Sequence, residues 1–366
     1  NPIFMAKKSR ALIALEAQGT FAEYPFDPSQ MGASYTRLDS AVDRGQECRG
    51  LDQKQITQQS AEHVTFVRDF LVEMTGRYPG SRFEELGITF FNTDSPNAIV
   101  LHDRDDDSYA IGIDYGMIFL FSGVFGTLLH SQLLNMENLN WVLALVDVVL
   151  FLFWNQNEGL QQRSHREFLE QRYLQAVSSR ALEMTFKFLV AHELGHIYLG
   201  HFRDKQSSRL SAVGTGSDRD EISTFDHDAE FAADAWGAKV LREIAGDSPV
   251  EQALARYIPS LYFGIYSLAS TMYVARTPLG KYVNDTHPDA WVRSQRLLPT
   301  DSEPLTSRDS MAQAIADLPR RIAAERDSES FHAAVADMQI RLYAMTQAIS
   351  PATDARPRRR WWQFWR

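Results

Sequence analysis

Hydrophobic residues along this chain recur mostly at intervals of three and four, the spacing of one face of an α-helix. Residues 61–74 (AEHVTFVRDFLVEM) set Val64, Phe66, Val67, Phe70 and Leu71 on one side, and Tyr78-Pro79-Gly80 then supplies a turn. Residues 11–78 as a whole read as mostly helical, interrupted around Pro25, Pro28 and Gly32. The period shortens further on. Residues 88–91, 98–101, 109–113 and 117–121 are short runs rich in β-branched and aromatic side chains, which predicts strands. Asp114-Tyr115-Gly116 reads as a hairpin turn pairing 109–113 with 117–121. The acidic run 103–108 reads as a solvated turn, because it lacks the glycine and spaced ligands of a calcium loop. Helical spacing returns over 123–136, 138–154, 164–201, 226–244, 250–274, 290–298 and 310–348. The Ser-, Gly- and charge-rich stretch 205–220 reads as a flexible connector.

This pattern predicts a mainly helical α+β fold with a small mixed β-sheet. Four regions follow from it: a helical N-terminal region 1–80, a central domain 81–300, a helical segment 301–350 and a basic, aromatic tail 351–366.

Composition narrows the function classes. With 366 residues, 44% hydrophobic and 23% charged, the chain can bury a sizeable core. A formal net charge of −10 argues against nucleic acid as the main partner. Cys48 is the sole cysteine, which rules out an intramolecular disulfide and a thiolate metal cluster and favours a reducing, cytoplasmic setting. The run 11–17 is too short for a secretory signal and contains Glu16. The most apolar stretch, 141–154, is short for a bilayer span and carries Asp147, so it reads as a buried helix. Arg356, Arg358, Arg359 and Arg360 precede Trp361, Trp362, Phe364 and Trp365. Such a tail suits either peripheral contact with an anionic membrane or acidic partner, or a solvated end.

The chemistry concentrates in residues 186–201, FKFLVAHELGHIYLGH. His192 and His196 are four apart on a predicted helix, so both imidazoles can reach one metal ion, as in the His-Glu-x-x-His pattern of zinc hydrolases. Glu193 lies about 100° around the same helix, where a general base for an activated water belongs. A zinc site needs a third protein ligand. Glu230 offers one, and Asp234, one turn on, could accept a hydrogen bond from a ligand histidine. His227 is a rival third ligand, and Asp226 or Asp228 would cap that helix.

Three separated elements together resemble the gluzincin peptidases that include the CAAX prenyl protease and the HtpX-type quality-control protease, with their soluble minimal relatives. They are His192 to His196, Glu230 to Asp234, and His287-Pro288 with Arg293. Ser95-Pro96-Asn97-Ala98 is similar to the segment before that family's substrate-side strand, and the likeness spans roughly residues 87–298. The resemblance implies a zincin-like peptidase domain with an edge strand beside the active-site helix. It implies zinc as cofactor, held by His192, His196 and Glu230, and Glu193 as general base. His287 would stabilise the oxyanion, with Arg293 orienting it or sharing that charge. A protein or peptide substrate would add as a strand, with the strand around 117–121 as the candidate acceptor. The implied activity is endopeptidase; the alternative is a zinc-containing regulatory or binding protein with latent or lost activity. His201 lies nine residues after His192, too close for the third histidine of three-histidine zincins, and is expected not to be a ligand.

Overall fold

A computed structural model describes residues 21–22, 53–81, 83–91, 98–103, 108–114, 121, 124–126, 128–129, 132, 172–202, 227–274, 288–299, 309–329 and 331–336. The chain divides into two compact units, Asn1–Phe119 with Thr185–Ser223, and Leu120–Met184 with Thr224–Arg366.

In the first unit, helix α1 (Gln53–Arg77) buries Val67, Phe70, Leu71 and Met74, a stripe at three- and four-residue spacing. Tyr78, Pro79 and Gly80 end it. The Tyr78 N–H still donates to the Met74 carbonyl, and Gly80 turns the chain at φ 88°. A Cβ at Gly80 would meet nothing within 4 Å, so only the left-handed backbone demands glycine there. Gly80→Ala is therefore expected to cost about 1–2 kcal/mol, read as a lower urea midpoint; an unchanged midpoint would show that the turn readjusts freely. The Thr75 hydroxyl accepts from the Glu84 N–H at 3.0 Å, tying the 3₁₀ turn Phe83–Glu85 back onto the helix.

Four strands form one sheet in the order β1-β2-β4-β3: β1 (Phe21–Ala22), β2 (Gly87–Phe91), β3 (Ala98–Asp103) and β4 (Ser108–Asp114). The sheet is mixed. β2 runs parallel to β4, while β1–β2 and β3–β4 are antiparallel. Residues 110–113 of β4 are buried without interruption, because both faces of this inner strand are covered. Two expectations change here. Phe21 and Ala22 pair with Phe91 and Phe90 instead of being helical, since β2 offers them backbone partners. The hairpin after Asp114 does not take its expected form: β4 pairs with β3 and β2, and Phe121 is helical. Residues 115–120 lie outside the described residues. β3 is an edge of the described sheet.

The second unit is helical in its described part. Phe121, Val124, Phe125, Leu128 and Leu129 are buried helical residues within 121–132, matching the apolar spacing of that stretch. Helix α2 (Arg172–Tyr198) begins in this unit and continues into the first. Helices α3 (His227–Ile244), α4 (Pro249–Val274), α5 (Ala290–Arg296) and α6 (Ser310–Arg326) follow. α4 packs against α3, α5 and α6 and is the centre of the group. Its buried residues, including Ala253, Leu254, Ile258, Leu261, Ile265 and Leu268, occupy more than one face, as a helix with neighbours on several sides requires. Asp309 starts α6 by accepting from the Met311 and Ala312 N–H groups.

The architecture is thus α+β, mainly helical with a small mixed sheet. Among the described residues, no helix is long and apolar enough to cross a membrane. The apolar stretch 141–154, the connector 205–220 and the tail 351–366 lie outside the described residues.

Candidate metal centre

Every residue from Phe188 to His196 is buried, so this part of α2 is enclosed on all sides. Three polar side chains share that enclosure: His192 is 8% exposed, Glu193 6% and His196 1%. Burying such groups is costly unless they are hydrogen-bonded or bind a metal.

The two histidines face each other. Their Nε2 atoms are 3.3 Å apart, with the ring planes nearly perpendicular at 85°. Two nitrogens bound to one tetrahedral ion at about 2.0–2.1 Å each stand roughly 3.3–3.4 Å apart. The observed separation fits a shared ion. Glu230 on α3 completes the group: with His192 and His196 it offers three buried ligand atoms, all within 4.8 Å of one another. This buried His-His-Glu group could hold a metal ion. His227 is exposed at the first residue of α3 and is not part of it. Asp228 lies within the first turn and Asp226 outside the described residues.

Glu230 and Asp234 share a face of α3 because they are one turn apart, and both are 1% exposed. Arg293 compensates their charge. Its Nε donates to Asp234 Oδ2 at 2.8 Å and its Nη2 to Oδ1 at 2.6 Å, while Nη1 stands 3.3 Å from Glu230 Oε2. Both Asp234 oxygens are thereby held in the two-pronged geometry specific to arginine. The Phe263 ring lies 4.0 Å from the guanidinium carbon. Burial alone would lower the Arg293 pKa; the Asp234 charge and hydrogen bonds, with Glu230, reverse this and hold it above the ordinary arginine range.

Helix α5 delivers Arg293. Asp289 caps it by accepting from Trp291 and Val292, and the Ser294 hydroxyl donates to the Ser260 carbonyl of α4 at 2.9 Å. Arg296 lies over the Phe231 ring and Arg326 over Trp291. These contacts leave the short helix little freedom to turn Arg293 elsewhere.

The structure thus brings His192, His196 and Glu230 together and joins Asp234 to Arg293. The sequence expectation gave Asp234 to a ligand histidine; its two oxygens accept from Arg293. It gave Arg293 the role of orienting His287 or sharing an oxyanion's charge; its guanidinium engages the two carboxylates. His287 lies outside the described residues. One neighbour of the site was set aside in the sequence: His201, whose Nδ1 is 2.9 Å from His196 Nδ1. Its spacing sets it aside as a third histidine ligand, and the Gly-His pair just past the helix was the available signal.

β3 and β4 approach the end of α2. His102 and Tyr109, directly opposed in the sheet, stack at 4.2 Å, and Phe202 packs edge-on against both at 5.5 Å. No protein-family model matches the chain, and no curated protein or solved structure matches it.

Proposed function

We propose that this chain is a zinc-dependent endopeptidase that cleaves a peptide bond of a protein or peptide, on a zincin-like domain of the gluzincin type. The observation that carries the reading is the convergence of two imidazole Nε2 atoms, 3.3 Å apart, with the Glu230 carboxylate in a buried group. Two imidazoles and one carboxylate suit zinc and leave a fourth position open, as catalytic zinc sites do. His192, His196 and Glu230 would hold the ion. Bound there, zinc would supply Lewis-acid chemistry, making water acidic near neutral pH and polarising the scissile carbonyl.

The chain's own residues do the rest. Glu193 takes the proton of the attacking water and returns it to the departing amine, which lets one carboxylate serve both halves of the hydrolysis. Arg293 and Asp234 hold the Glu230 side of the site in place. The outer side of β3, at the margin of the described sheet, aligns an extended peptide by strand addition, where backbone hydrogen bonds give affinity without fixing side-chain identity. An intact Glu193 favours the enzyme over a regulatory zinc protein, because a structural site needs no base and fills all four positions.

Elemental analysis of purified protein tests the site directly. We expect about one zinc per wild-type chain and loss of most of it in Glu230→Ala. No zinc in the wild type, even after reconstitution, would remove both the metal site and the peptidase reading.

A further inference from the structure

The end of α2 folds in a way that bears on the metal group. Gly200 adopts φ 75°; its N–H donates to the Ile197 carbonyl at 3.1 Å, and the His201 N–H donates to the His196 carbonyl at 3.0 Å. A left-handed glycine flanked by this pair of bonds is the Schellman helix ending. The ending folds the residue after the glycine back onto the residue five before it, usually through an apolar contact. Here those two residues are His201 and His196, and the contact is polar: their Nδ1 atoms meet at 2.9 Å, with ring centroids 5.0 Å apart.

The proton can be placed. His196 turns its Nε2 toward His192, so a neutral His196 that uses this nitrogen as a ligand carries its hydrogen on Nδ1. That hydrogen points at His201 Nδ1, which accepts it. We propose that His201 is a positioning residue for His196: it fixes the ring's orientation and tautomer, with Gly200 placing it there. The proposal rests on His192, His196 and Glu230 being metal ligands. His201 is not in the group of three that could hold the ion.

A hydrogen-bond acceptor on a ligand histidine raises ligand basicity and restricts the ring, and such partners are worth about 10–100-fold in metal affinity. Two substitutions of nearly equal shape separate this role from packing. His201→Leu removes the acceptor. His201→Asn places an amide oxygen near the Nδ1 position. Zinc affinity is measured on the full chain by competition with a chromophoric chelator, beside the urea midpoint of each metal-free variant. We expect His201→Leu to bind zinc roughly 10–100-fold more weakly and His201→Asn to recover most of the loss at a similar midpoint. Wild-type affinity in His201→Leu would overturn the proposal while leaving the zinc site intact. So would equal weakening in both variants, which would mark a packing role. A wild type that binds no zinc overturns the proposal together with the metal reading beneath it.

Discussion

Arg293→Met is expected to destabilise the fold by about 3–5 kcal/mol and to strip the site of retained metal. The substitution keeps most of the side-chain volume, so the loss measures charge and hydrogen bonding. Arg293 is 7% exposed, and its removal would leave Asp234 and Glu230, each 1% exposed, without the cation that faces them. Taking one partner from a buried pair is costly because the other charge remains desolvated. The Arg293 pKa is raised on folding, so its contribution is complete below the ordinary arginine range and is lost only as pH rises through the still higher folded value. Acidification leaves the guanidinium itself charged. Arg293→Lys should recover only part of the loss, since an ammonium cannot reproduce the paired donation to both Asp234 oxygens. Urea unfolding with elemental analysis of the same samples checks both effects. A change under about 1 kcal/mol with zinc retained would show that the pair behaves as a solvated one and does not support the site.

Glu193→Gln should separate chemistry from metal binding. Glutamine is nearly isosteric but cannot take a proton, so zinc content should match the wild type while hydrolysis falls by about 10²–10⁴-fold. Release of fluorescent peptides from labelled casein would follow the reaction, with Glu230→Ala as the metal-depleted comparison. Equal cleavage by the wild type and Glu193→Gln would reject Glu193 as the base. A wild type with full zinc and no cleavage would instead favour the regulatory protein over the enzyme. Loss of activity through loss of metal and loss at constant metal are different results, and the two variants distinguish them.

Helical spacing carried much of what was legible beforehand. Residues 61–74 were readable as an amphipathic helix because period and burial coincide: Val67, Phe70, Leu71 and Met74 line one side of α1. The i and i+4 rule likewise put His192 above His196 and Glu230 above Asp234. Each is a within-helix relation, fixed by 3.6 residues per turn whatever surrounds it. Turn propensity served less well at Asp114-Tyr115-Gly116. A turn signal says where a chain can reverse, not which strand will be its neighbour, and β4 lies between β3 and β2. The unbroken apolar run 110–113 was the better clue, because a strand covered on both faces loses its alternation.

The chain by itself determined the helices over 61–74, 226–244, 250–274 and 290–298, the strands over 88–91, 98–101 and 109–113, and the two pairs of polar residues spaced to share a helix face. Tertiary structure decided which pairs meet. It joined Arg293 to Asp234 across 59 positions of sequence, gathered Glu230 with the two histidines, and turned His201 onto His196. Backbone geometry sets the order of side chains along one element, so local spacing can be read directly. The partner of a buried charge depends on how separate elements pack, and for Arg293 that was settled by the seating of α5 on α4 through Ser294 and Ser260.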